Sequence, residues 1–172
     1  MAEIVEFFGE SPSGERGDDQ AAPQAGGIRE VDMRAGLGGG GFESREVVHN
    51  GSYSDPLKSE TWRFPSSFMR EEVRAPESRI LIAESHGDSM FPTIASGERL
   101  LIDTGHKVPT PDGIYALRDR FGALIIKRLQ VARSGEPPRV LIISDNKSHP
   151  VEDVGLDEIV IVGRVLFGLK RY

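Results

Sequence analysis

Two residues of this 172-residue chain have the right types and settings for nucleophilic chemistry, Ser89 and Lys127. Ser89 lies in His86-Gly87-Asp88-Ser89-Met90-Phe91-Pro92-Thr93-Ile94, directly after an apolar run. Gly87 and Pro92 flank it, so the segment reads as a tight exposed turn. Such a turn can point a hydroxyl outward and leave backbone N–H groups free to hold an oxyanion. Lys127 lies in Leu124-Ile125-Ile126-Lys127-Arg128-Leu129. Alternate residues of a strand share a face. Lys127 then sides with Ala123, Ile125 and Leu129, and Arg128 with Leu124 and Ile126. An ammonium among aliphatic side chains is desolvated, which lowers its pKa and favours the neutral amine. A neutral amine can take a proton from a serine hydroxyl, whereas a solvated lysine with a pKa of about 10.4 rarely does so near neutral pH. Ser–Lys pairs are a known variant of the serine nucleophile–base arrangement. Each residue alone has a plainer reading. Lys127 would snorkel from a strand edge, and Ser89 would be a surface turn serine.

Both residues need a scaffold, and the chain from Arg79 onward supplies strand after strand. Runs at 80–83, 100–102, 114–117, 123–126, 140–143 and 159–162 are apolar and largely β-branched, with Gly, Pro, Asp and Asn between them. Asp119-Arg120-Phe121-Gly122 reads as a hairpin turn. The close spacing predicts a mainly β, mostly antiparallel domain over 28–172. Residues 1–27 read as a flexible arm or interdomain linker. Gly9 to Gly27 in particular holds too little apolar surface to offset chain entropy. Ile4, Val5, Phe7 and Phe8 read as a frayed helix end or a docking segment. The glycine run within Val31 to Phe42 argues against regular structure, and it is no phosphate loop because no Gly-Lys-Ser/Thr follows. Residues Glu43 to Ser59 are polar and turn-rich. Trp62, Phe64, Pro65, Phe68 and Met69 predict a packed aromatic cluster.

Composition narrows the function classes. The chain has no cysteine, which excludes disulfides and thiolate chemistry. Its net charge of −6 and lack of a basic cluster argue against a nucleic-acid grip of its own. No apolar run approaches the ~20 residues of a membrane span, and no secretory signal is read. A cytoplasmic protein is expected. His49, His86, His106 and His149 lack metal-ligand spacing, so no metal and no cofactor are expected. Asp103, Asp112, Asp145 and Asp157 read as turn residues.

Taken together, Gly87-Asp88-Ser89-Met90-Phe91-Pro92-Thr93-Ile94 and a lysine 38 residues later in an apolar strand resemble the LexA-like serine–lysine peptidase family. That family includes LexA, lambdoid phage repressors and UmuD. Leu141-Ile142-Ile143-Ser144-Asp145-Asn146 resembles the family strand that ends in an Asn turn. Val31 to Gly36 and Trp62-Arg63-Phe64-Pro65 resemble the longer form found in prophage-repressor-like regulators. The resemblance covers about Val31 to Tyr172.

It implies a LexA/signal-peptidase-like β domain with Ser89 as nucleophile, Lys127 as base and an oxyanion hole from the backbone N–H groups of Asp88 and Ser89. It further implies self-cleavage at an Ala-Gly bond, promoted by an activated RecA filament as co-protease in the response to DNA damage. A homodimer is implied, with strands around Ile159 to Phe167 contributing. Operator DNA would be reached only through an upstream helix-turn-helix, which the first 30 residues do not contain. The candidate scissile bond is Ala35–Gly36, with Ala25–Gly26 behind it. Ala35 lies 54 residues before Ser89, farther than in the LexA-like pattern, which points near Tyr53 to Pro56, where no Ala-Gly occurs. Rival readings are a UmuD-like accessory protein of translesion synthesis, a non-cleaving dimerisation or sensing module of the same fold, and a signal peptidase, which the lack of a membrane span opposes.

Overall fold

The structure, a computed structural model, describes residues 27–31, 57–132 and 138–170. The expectations for Ile4 to Phe8, most of Gly9 to Gly27, Ala25–Gly26, Ala35–Gly36, the glycine run and Tyr53 to Pro56 lie outside the described residues.

Nine strands form one sheet: β1 (Ile28–Val31), β2 (Leu57–Trp62), β3 (Ile80–Glu84), β4 (Arg99–Asp103), β5 (Gly113–Arg118), β6 (Leu124–Ala132), β7 (Arg139–Ile143), β8 (Glu152–Gly155) and β9 (Val160–Leu169). Their order across the sheet is β2-β1-β3-β4-β9-β5-β6-β7-β8. The fold is mainly β, as the pattern of short β-branched runs predicts. All the pairings are antiparallel except β1 with β3, which run parallel.

Three strands went unforeseen. Val31 opens the segment whose glycine run argues against regular structure, yet it closes β1. Residues 57–59 belong to the polar, turn-rich stretch of the sequence, yet they open β2. The four-residue β8 is acidic at its start and carries no apolar run.

Apolar side chains pack on both faces of the sheet. One core joins Val31, Ala83, Met90, Ile94, Leu100, Ile102, Leu124 and Ile126. A second joins Ile28, Met69, Val73, Ile80, Ile82 and Leu101. Against it stack Trp62, Phe64, Phe68 and Phe167, with neighbouring ring centroids 6.4, 5.5 and 5.4 Å apart. The aromatic segment is therefore packing, as its composition suggests. A short helix over Ser66–Phe68, widened to π geometry over Met69–Val73, carries part of this cluster and ends at Arg74 in the left-handed region. A third core gathers Tyr115, Leu117, Leu129, Val140 and Ile161.

The β5–β6 hairpin turns at Asp119–Gly122 as expected. Asp119 Oδ1 accepts the N–H groups of Phe121 and Ala123, and Gly122 takes φ +83°. Two other carboxylates do more than shape turns. Asp103 receives two hydrogen bonds from the Arg79 guanidinium, and Asp145 two from Arg128. Asp103 is buried, and a buried carboxylate requires such a partner.

Candidate active site

Strand β3 delivers the chain into an excursion that returns at β4. Ser85 closes its base: its N–H donates to the Glu98 carbonyl, its carbonyl accepts the Gly97 N–H, and its hydroxyl donates to the Ala95 carbonyl. Gly87 has φ +80°, a conformation that a side chain would strain. Asp88 and Ser89 follow. The Phe91 N–H donates to the Asp88 carbonyl, and the Ile94 N–H to the Met90 carbonyl, so Ser89 sits on a closed turn anchored by buried Met90 and Ile94.

Strand β6 brings Lys127 to the same place. Along β6, Leu124 and Ile126 pack in one core while Ile125 and Leu129 pack against another, the alternation that the sequence implies. Ser89 and Lys127 line one cavity of about 110 Å³, together with Ser85, His86, Gly87, Met90, Ile94, Leu124, Ile125 and Ile126. Burial pushes the Lys127 amine below its ordinary 10.5, against the opposing pull of the Glu152 and Asp88 carboxylates. A second, larger groove of about 610 Å³ also includes Ile125 and Lys127 and is lined further by Ile142, Val154 and Arg118.

The hydrogen bond that Lys127 makes is to Ser144, at 2.7 Å from Nζ to Oγ. Ser144 was not singled out by sequence reasoning. It directly follows the apolar strand β7, where Ser-Asp-Asn reads only as a turn. Its two successors also reach across. Asp145 takes the Arg128 guanidinium on two oxygens at 2.8 Å and a further hydrogen bond from Thr93 of the serine segment. Asn146 donates from Nδ2 to both the carbonyl and the carboxylate of Asp88, at 3.2 and 3.1 Å, and from its backbone N–H to the Ser89 carbonyl at 3.0 Å. His149 Nε2 lies 3.2 Å from the Asp88 carboxylate. Three consecutive residues thus hold the amine, its neighbour on β6 and the serine turn.

Among the described residues, the backbone N–H groups of Asp88 and Ser89 have no protein acceptor. The bond Ala35–Gly36 lies outside the described residues. Among those residues no group of three His, Cys, Asp or Glu side chains could hold a metal, and no helix is long and apolar enough to cross a membrane.

A turn-borne serine and a half-buried lysine thus line one small cavity of a β domain. Residues 43–166 match the Peptidase S24-like family, the family of the LexA, UmuD and phage-repressor C-terminal domains. The chain belongs to that family. No curated protein matches it.

Proposed function

We propose that this chain is the peptidase and dimerisation part of a LexA-like or phage-type repressor, and that it cuts its own backbone with Ser89 and Lys127. One observation carries the reading. Ser89 and Lys127 share a small cavity with apolar walls, and burial there favours the neutral amine that a general base requires.

The chemistry follows from those groups. Lys127 Nζ takes the proton of Ser89 Oγ as the oxygen bonds to the carbonyl carbon of the scissile peptide. The tetrahedral oxyanion is held by the N–H groups of Asp88 and Ser89. Collapse breaks the C–N bond, and the leaving amine takes the proton from Lys127. Water then attacks the acyl ester and gives a proton to Lys127; as the acyl C–O bond breaks, Lys127 passes that proton to Ser89 Oγ, which releases the acid and restores the Ser89 hydroxyl and the neutral amine.

For the substrate we propose Ala35–Gly36. Its support is local. Strands β1 and β3 are parallel, with Val31 opposite Ala83, so the chain leaves β1 at the sheet end where β3 leads into the serine turn. Val31 shares a core with Met90 and Ile94, which line the cavity. Four extended residues span about 13 Å. A cavity of about 110 Å³ suits a methyl side chain rather than a bulky one.

The family resemblance supports three partners: a second copy of the chain, an activated RecA filament as co-protease, and operator DNA through a helix-turn-helix outside the domain. Val160 on β9, 61% exposed, is available to a dimer contact.

The test is incubation at alkaline pH with and without an activated RecA filament, with fragments read by mass spectrometry. Self-cleavage predicts a cut after Ala35 that is lost in Ser89→Ala and Lys127→Ala. A chain that stays intact under every condition would instead be a non-cleaving module of this fold.

A further inference from the structure

Strand β1 lies inside the sheet, between β2 and β3, and this position bears on what a cut does. Residues 32–56 are the covalent link from β1 to β2. A break anywhere in that link leaves β1 on the N-terminal piece and the other eight strands on the C-terminal piece.

The non-covalent hold on β1 is extensive for four residues. It pairs with β2 at Ile28↔Trp62, Arg29↔Thr61 and Val31↔Leu57, and with β3 at Glu30↔Ile82 and Val31↔Ala83. Its side chains enter cores on opposite faces, since Ile28 packs with Met69, Ile80 and Leu101, and Val31 with Ala83, Met90 and Leu100. Glu30 is buried, and its carboxylate accepts the Trp62 indole N–H at 2.7 Å and the Arg99 Nε–H at 3.4 Å. Withdrawing β1 would leave that indole and guanidinium without this acceptor and would wet two cores. It would also unmoor β2, whose strand pairing among the described residues is with β1.

We infer that scission of residues 32–56 does not by itself part the two pieces. The N-terminal piece stays bound through β1, seated between β2 and β3, so cutting and separation are distinct steps. This rests on the self-cleavage reading for its biological use, but not for its physics.

The experiment therefore uses an added protease. A specific recognition site is inserted into the Gly38–Gly41 run of the full chain carrying Ser89→Ala, the chain is cut to completion, and the product is run on a native sizing column. Retention predicts a single peak at the uncut volume that resolves into two pieces only in denaturant. A second measurement compares Ile28→Ala with the parent, which should lower the urea concentration at which the pieces separate. Elution of a C-terminal piece alone, or its precipitation with the N-terminal piece left in solution, would overturn the inference. An inactive Ser89–Lys127 pair would leave this result unchanged.

Discussion

Lys127 Nζ donates to Ser144 Oγ at 2.7 Å, across 17 residues of sequence and from one strand to the residue just after the next. A hydroxyl accepting from an ammonium stabilises the cation and fixes where the amine points. In Ser144→Ala the amine loses both. A hydrogen bond to a charged group is worth about 1.5–3 kcal/mol, so self-cleavage at its high-pH plateau should fall roughly 10- to 100-fold. The pH–rate curve should also move to lower pH, because the cation has lost a stabilising partner. Ser144→Thr should restore both. A slower reaction with an unmoved pH curve would leave Ser144 a packing residue only.

The pH dependence of the wild type follows from Lys127. Under the proposed mechanism cleavage requires the neutral amine, so the rate should rise with pH and level off once Lys127 is deprotonated. Burial lowers its pKa, so the midpoint should fall below 10.5. The same shift has a sign for stability. Between the folded and unfolded pKa values the unfolded lysine holds a proton that the folded one has lost, so stability rises with pH across that window. Lys127→Met removes the cost of burying the charge. It should raise the denaturation midpoint at neutral pH, with the gain shrinking as pH approaches 10.5. Urea melts of both forms across pH would check this.

Asn146 holds the serine turn through Asp88 and Ser89, from a half-buried site that belongs to none of the apolar cores. Asn146→Ala should therefore slow cleavage about 10-fold or more while shifting the melting temperature by only a few degrees, in line with about 1 kcal/mol for each net hydrogen bond. A large loss of stability with the cleavage rate of the remaining folded fraction unchanged would contradict the positioning role.

Acid should attack the carboxylates. The Arg128 hydrogen bonds hold Asp145 below its ordinary 3.8, and those of Arg79 do the same for Asp103. Each lowered carboxylate contributes stability that is present above the unfolded pKa and lost as pH falls through the folded one. Acid unfolding of the wild type should set in below about pH 4. Asp145→Asn should be less stable at neutral pH and show a shallower acid dependence, read by circular dichroism.

Much of this was legible in the chain. Six strands announce themselves as apolar β-branched runs, and the face arithmetic around Lys127 holds because a strand's period of two is rigid. The missed strands have physical reasons. Glu30 sits mid-strand and is buried only because Trp62 and Arg99, distant in sequence, satisfy it. No local pattern reveals such a partner. Strand β8 is an edge strand, and its Glu152 and Asp153 reflect that exposure. Ser144 escaped notice because its role depends on β7 lying beside β6, a pairing that follows from topology rather than from composition. Asp145 looked local because Asp favours turns, yet its partners are Arg128 and Thr93.

Strand β9 joins two otherwise separate halves of the sheet. On one side stand β2, β1, β3 and β4, and on the other β5 to β8. Gly163 lets β9 press against β4, since a Cβ there would meet the Asp103 carbonyl. Ser89 hangs from the first half and Lys127 belongs to the second. On the ribosome, β9 is the last of these strands to emerge. The proposed nucleophile and base therefore stand on opposite sides of β9, and the sheet that carries both is continuous only once this last strand has been made and seated.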